Sequence, residues 1–229
     1  MANSQLTPFQ RHKLRVIAQQ NKERQQQELQ AGTGNAAINS VANHGEFESL
    51  KMTLEQDLTT LSGLSRGDEK TAQLKTLLKV YLPHVNAYVE KGDVFANPVA
   101  VQVLIWLFDL GEISAAVELS KVLIEQQQVM PKQFSRTLVV FVYDQILDWA
   151  GAQYKQGNSP QPYFDDALKV VGGLNVPDVV KAKYHKLAGE LFFDTEKWQE
   201  SIAEFEAALS FDSSVGVKTK LKKATSKLN

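Results

Sequence analysis

Hydrolysis of a phosphodiester by a metal-dependent nuclease needs two or more carboxylates converging on a divalent ion. Asp68-Glu69-Lys70 and Asp165-Asp166 are the tightest acidic pairs that could serve in this 229-residue chain. The first follows an expected turn at 62–68 and the second follows Pro162, so both stand at helix starts. Acids there are favoured by the helix dipole and the first-turn amides, an explanation that competes with metal binding. The four histidines, His12, His44, His84 and His185, are scattered, and no two stand four residues apart. Zinc requires clustered His and Cys, and the chain has no cysteine at all. That absence also removes thiolate chemistry and disulfides and fits a reducing compartment. None of the 13 glycines is followed by lysine, which excludes a phosphate-cradling nucleotide loop. No G-x-S-x-G nucleophile elbow is present. No catalytic residue, metal or cofactor is therefore assigned.

Cations carry more information. The formal net charge is −1, but it is unevenly spread. Residues 8–24 hold Arg11, Lys13, Arg15, Lys22 and Arg24 against Glu23 alone, a local charge of +4. On a helix, Arg11, Arg15 and Lys22 fall within about 40° of one another. Such a stripe suits the tracking of phosphates, although a solvated amphipathic face has the same pattern. Residues 217–229 carry Lys218, Lys220, Lys222, Lys223 and Lys227 with no acid. Lysines at a helix C-terminus are also favoured by the dipole alone. Residues 93–129 compensate with a charge of −4. Basic ends around an acidic centre suggest a polyanionic partner at the ends.

The elements that must position these groups read as helices throughout. Thr7-Pro8-Phe9-Gln10 has the form of a capped helix start, with Pro8 at the first helical position. This basic helix is assigned to residues 1–30. Residues 31–45, rich in Gly and Asn, read as a flexible linker. Phe47, Leu50, Leu54, Leu58 and Leu61 then form a narrow apolar stripe at spacings of 3, 4, 4 and 3. A second amphipathic helix over 71–81, with Leu74, Leu77, Leu78 and Tyr81 on one side, completes a hairpin assigned to 46–92. A stripe this isolated needs a partner, so the hairpin, through Phe47, Leu50, Leu54, Leu58 and Leu61, is expected to make subunit contacts. Residues 93–229 are denser in apolar residues and are expected to form a compact body of helices, over about 97–110, 114–127, 135–156, 162–172, 177–193, 198–209 and 215–228. The β-prone run at 137–142 is read as buried helix because of its flanks. The fold class is all-α.

A weak internal repeat links Phe108-Asp-Leu-Gly-Glu-Ile113 to Phe193-Asp-Thr-Glu-Lys-Trp198. Aligned on the phenylalanines, Val117 matches Ile202 and Ile124 matches Leu209. In the second copy, Gly189, Phe192, Trp198, Phe205 and Ala208 occupy the small and large positions of a tetratricopeptide-like hairpin. Ser201 and Ser213 stand where that motif usually has Ala and Pro. An ordinary helical hairpin with aromatic packing fits the same residues.

Three segments together resemble a known family: TPFQRHKLRV; LPHVNAYVEKGD with VLIWLFDLGEISAAVELSKVLIE and MP; and AKYHKLAGELF with AL. In this order they are similar to the small terminase subunits of contractile-tailed temperate phages, the M proteins. The resemblance leaves out only the stretch at 31–45. Its most specific part is Leu82-Pro83, the turn from Trp106 through Asp109 to Gly111-Glu112-Ile113, and Met130-Pro131. Family members often end in a longer Lys/Arg/Pro-rich tail than the short Lys-rich helix here. The resemblance implies a protein of the host cytoplasm that recognises double-stranded viral DNA and delivers it to the large terminase subunit. It also implies a ring-shaped homo-oligomer, no membrane partner, and a motor and nuclease carried by the large subunit. The family sometimes bears an endonuclease label. Two other readings stay open: a helical-repeat adaptor for proteins only, and a metal-dependent endonuclease subunit.

Overall fold

The computed structural model describes the backbone of residues 33–228 and the side chains of 45–228. Among these residues are nine helices and no strand: α1 (Thr33–Ser62), α2 (Asp68–Lys91), α3 (Pro98–Asp109), α4 (Ile113–Glu125), α5 (Leu138–Lys155), α6 (Tyr163–Val171), α7 (Asp178–Asp194), α8 (Trp198–Phe211) and α9 (Lys218–Leu228). The chain divides into two units, residues 1–95 and 96–229.

In the first unit, α1 and α2 form an antiparallel hairpin around the turn at 63–67. Its seam is two matched stripes. Phe47, Leu50, Leu54, Leu58 and Leu61 on α1 have the same 3-4-4-3 spacing as Leu74, Leu77, Tyr81, Val85 and Tyr88 on α2. Leu54, Leu61 and all five α2 residues are buried, whereas Phe47, Leu50 and Leu58 are half-buried. Tyr81 donates its hydroxyl hydrogen bond to Asp57 at 2.7 Å. Phe95 packs edge-on against Phe47 and Tyr88, at 5.0 and 4.9 Å between ring centres. It therefore belongs with the hairpin rather than with the body that was expected to begin at 93.

Two boundaries differ from the sequence reading. The backbone is already helical at Thr33, so the stretch at 31–45 read as a linker lies mostly in α1. Alanines at 36, 37 and 42 offset the Gly and Asn cost over those turns. α2 continues ten residues beyond Tyr81, through Pro83. Proline removes one i→i−4 hydrogen bond, but Pro83 is on the exposed face, where water can satisfy the orphaned carbonyl. Burial of Val85 and Tyr88 beyond it offsets the interruption.

In the second unit, every residue of α3 from Val99 to Leu107 is buried. A helix apolar all round must be enclosed by others. Asn97 caps it, accepting from the Ala100 amide at 2.9 Å. The Asn97 amide in turn donates to Gln128 Oε1 at 2.8 Å, tying the α4–α5 connection to the start of α3. Residues 138–142 are the first turn and more of α5, capped by Thr137, so the β-prone run is helical as read. α6 and α7 meet through Phe164 and Tyr184, stacked at 5.5 Å with an interplanar angle of 4°. The Tyr184 hydroxyl donates to the Tyr143 carbonyl at 2.7 Å on α5.

α7 and α8 pack most closely of all. A Cβ added at Gly189 would lie 2.5 Å from Phe205 Cδ1, so the ring occupies the space that any other residue would need. Ser201, fully buried, donates its hydroxyl to the Gly189 carbonyl at 2.9 Å.

The repeat is visible in the backbone. In both copies the residue three after the aligned phenylalanine has a positive φ: 73° at Gly111 and 58° at Glu196. Gly111 N–H donates to the Phe108 carbonyl at 3.0 Å and Glu112 N–H to Leu107 at 2.9 Å. Glu196 N–H donates to Phe193 at 3.1 Å and Lys197 N–H to Phe192 at 2.9 Å. This pair of bonds closes a helix end by satisfying its last carbonyls.

Candidate functional site

The cations on which a polyanion could act fall in three places. Arg11, Lys13, Arg15, Lys22 and Arg24 lie outside the described residues. The five C-terminal lysines lie on α9. Its inner face is short: Val217 and Ala224 are buried, with Leu221 half-buried. Lys220 shares that side and makes an ion pair with Glu190 of α7 at 2.9 Å. Lys186, one turn before Glu190, donates to the Val215 carbonyl at 3.1 Å. Lys220 and Lys186 thus anchor α9 and serve the fold. Lys218, Lys222, Lys223 and Lys227 stay exposed, in two i, i+4 pairs on a helix that contains no acid. Of the five C-terminal lysines, these four are the ones left exposed.

A further cationic ridge escaped the sequence reading. Lys75 and Lys79 are exposed one turn apart on α2, and no acid stands three or four residues from either. They were overshadowed there by the apolar stripe that shares the helix.

Of the residues assigned to subunit contacts, two lie deep in the hairpin that the sequence led one to expect. Leu54 and Leu61 are 5% and 6% exposed and face the hairpin's own seam. They are therefore unavailable to a neighbouring chain while α1 and α2 stay paired. Phe47, Leu50 and Leu58 retain partial exposure.

The acidic pairs sit in first turns, as their spacing indicates: Asp68 and Glu69 on α2, Asp165 and Asp166 on α6. All four are exposed, and Asp166 pairs with Lys169 at 3.0 Å. Among the described residues no three His, Asp or Glu side chains come together as a metal-binding group would. His185 has another role. Its Nδ1 lies 2.7 Å from Glu204 Oε2, and its ring stacks on Phe211 at 5.5 Å, joining α7 to α8. The strongly shifted groups are tyrosines. Burial raises the Tyr184 phenol, with nearby acids adding to the effect. Burial and then the hydrogen bond to a carboxylate raise Tyr81 at Asp57 and Tyr154 at Asp194. Phenols held neutral in this way lock helices together and offer no proton at neutral pH. Among the described residues no helix is long and apolar enough to cross a membrane.

Residues 51–179, which span the second half of α1 through the start of α7, match the model of the phage small terminase subunit family. The chain is 30% identical over 206 residues to a protein of Haemophilus phage HP1 named "Probable terminase, endonuclease subunit", covering 83% of this chain and 73% of that one. It is 25% identical over 218 residues to the "Terminase, endonuclease subunit" of Escherichia phage P2, covering 95% of this chain and 83% of that one. No solved structure matches. With more than half of its length matched by the family model and a relative at this identity along most of both chains, the protein belongs to the phage small terminase subunit family, whose role is viral genome packaging.

Proposed function

We propose that this small terminase subunit recognises double-stranded viral DNA in the host cytoplasm and delivers it to the large terminase subunit, working as a ring-shaped homo-oligomer. The observation that carries the reading is the distribution of cations in a chain of this family. The segment at 8–24 has a charge of +4, and Lys218, Lys222, Lys223 and Lys227 stand on α9 without an acid among them. In this reading Arg11, Lys13, Arg15, Lys22 and Arg24 make the primary phosphate contacts and the α9 lysines add to them. A few phosphate contacts per chain are weak and fade with salt. A ring multiplies them by its subunit number, and effective concentration turns weak contacts into useful avidity. The half-buried Phe47, Leu50 and Leu58 are the part of the hairpin stripe still able to contribute to subunit contacts.

Deletion of residues 1–30 tests the arrangement. Fluorescence anisotropy with duplex DNA should show binding abolished, while native mass stays that of the intact oligomer. Charge reversal at Arg11 and Arg15 should weaken binding and flatten its salt dependence by roughly 0.9 in the log–log slope for each phosphate no longer neutralised. Equal binding by the truncated protein would transfer the primary role to Lys218, Lys222, Lys223 and Lys227.

A second reading is supported by the relatives' names, both of which contain the words "endonuclease subunit". Here the protein itself would cut DNA with a divalent metal. Cleavage that depends on magnesium, by purified protein free of the large subunit, decides for that reading. A protein-only adaptor would instead bind no duplex DNA with a steep salt dependence.

A further inference from the structure

The outer edges of the α1–α2 hairpin, the sides turned away from its seam, match each other. Pairing of the two stripes sets Leu54 level with Tyr81 and Phe47 level with Tyr88, the two rings that share Phe95. By the same count Met52 is level with Pro83, Thr59 with Thr76, and Glu55 with Lys79 to within one residue. Each set of three spans about 60° of its helix, on the side away from the seam. All six residues are exposed, and Met52, at 64%, is a large apolar group left in water. Read in opposite directions, the α1 edge runs apolar, acid, hydroxyl and the α2 edge apolar, base, hydroxyl. The Thr59 and Thr76 hydroxyls already donate to the carbonyls of Glu55 and Ala72, at 2.9 and 3.1 Å. Covering these edges therefore strands neither donor.

We infer that these edges meet between copies of this chain: the α1 edge of one hairpin lies along the α2 edge of the next, with Glu55 against Lys79, Met52 on Pro83 and Thr59 beside Thr76. The inference rests on the ring reading above and names the surface through which the ring closes. A rotation about an axis parallel to the hairpin keeps every residue at its own height. Residues level within one chain are then level between two chains. The contact is heterologous, because each copy presents two different edges, and its repetition closes into a ring. Charge decides which edges meet. Two α1 edges would set Glu55 against Glu55, and two α2 edges would set Lys79 and Lys75 against their own kind. Like charges brought together at a contact count against a pairing, which leaves the mixed one favoured. A second copy is the occupant because it supplies the opposite charge at the matching height with the matching 3-4 spacing. Leu54 and Leu61 stay inside the chain, so the hairpin and the ring use different faces of the same helices.

A charge exchange on the full chain tests the contact, read by native mass and sedimentation velocity over a dilution series. Glu55→Lys and Lys79→Glu should each raise the concentration at which the oligomer half-dissociates by about tenfold or more, as a reversed charge at a contact does. The double variant Glu55→Lys with Lys79→Glu should return it to the parent value, because opposite charges face each other again. That rescue cannot arise within one chain, since about two helix diameters, roughly 20 Å, separate the outer edges of a hairpin. Both residues are exposed, so circular dichroism and thermal melting of all three variants should match the parent protein. A parent protein that stays monomeric throughout the series would remove the ring reading and this contact with it. An oligomeric parent whose native mass is untouched by either single reversal, or not restored in the double variant, would overturn the contact and leave the ring. So would a Lys79→Glu protein that loses duplex DNA binding at unchanged native mass, which would make Lys79 a phosphate contact instead.

Discussion

Two hairpins in this molecule are held together in different ways. The α1–α2 hairpin is zipped by two stripes of equal 3-4-4-3 spacing, largely leucine, along a long seam. Its burial is spread thinly: three of the five α1 residues remain half-exposed. The α7–α8 hairpin is shorter, yet its axes approach until Phe205 lies where the Cβ of residue 189 would be. The first depends on the sum of many similar contacts and tolerates change at its edges. The second depends on one position having no side chain and its opposite having a large one. Such interlocked packing is brittle, because a close-packed interior resists both added and removed volume.

The largest effect should come from the interlocked pair. Phe205→Ala should cost about 3–5 kcal/mol, since a fully buried ring leaves a cavity. Gly189→Ala should cost about 1–3 kcal/mol from overpacking against the same ring. The double variant Gly189→Ala with Phe205→Leu should cost less than the sum of its singles, because the added methyl fills space vacated by the ring. Urea denaturation of the parent, the singles and the double checks this, and strict additivity would mean that the two residues do not sense each other.

The leucine seam should respond less steeply. Leu54→Ala should cost about 2–3 kcal/mol, at the lower end for buried leucines, because a two-layer seam collapses onto small cavities more readily than an enclosed core. Hydrogen exchange should place the reduced protection in residues 46–95. A drop in native mass with protection there unchanged would return Leu54 to the subunit interface.

This position illustrates what the sequence conveyed and what it concealed. The periodicity of Phe47 through Leu61 determined which face of α1 is apolar, because helical spacing alone decides that. It could not reveal whether the face is covered by the same chain or another. The second stripe answers the question, but part of it, Val85 and Tyr88, lies past Pro83, where a helix was expected to have ended. Similarly, charge counting located the lysines of α9 but could not separate Lys220, which pairs with Glu190 thirty residues away, from its exposed neighbours. The aligned phenylalanines at 108 and 193, by contrast, sufficed to place both turns, since a helix end sets its geometry locally.

Smaller still is the polar contact that punctuates the seam. Tyr81→Phe removes the hydrogen bond to Asp57 and should cost about 1–2 kcal/mol. Burial, then the bond to Asp57, raises the Tyr81 phenol above its ordinary value near 10. A raised value in the folded state means that the unfolded chain loses the proton first. The contribution is therefore complete below about pH 10 and is lost as pH climbs beyond it. Thermal melts of the parent protein should be level up to that point and then fall. The Tyr81→Phe protein should fall less steeply, and identical alkaline slopes would show that Tyr81 does not couple its proton to the seam.

The smallest effect should be a gain, and it comes from the one respect in which the α7–α8 hairpin is less well made than its counterpart α3–α4. Both turns place a residue at positive φ and close the preceding helix with the same two amide-to-carbonyl bonds. In the first turn that residue is Gly111, which has no Cβ to clash. In the second it is Glu196, whose Cβ meets the following carbonyl, a conformation that costs roughly 1–2 kcal/mol for an L-residue. Glycine's greater freedom in the unfolded chain offsets part of the relief. Glu196→Gly should therefore stabilise the protein by about 0.5–1 kcal/mol, and Gly111→Ala should destabilise it by about the same amount or slightly more. Glu196 is exposed and makes no ion pair within the described residues, so the substitution tests the backbone with little else changed. If Glu196→Gly leaves the urea midpoint unmoved or lowers it, the backbone strain inferred at this turn is absent, and the likeness of the two turns would be one of hydrogen bonding without the shared energetic demand.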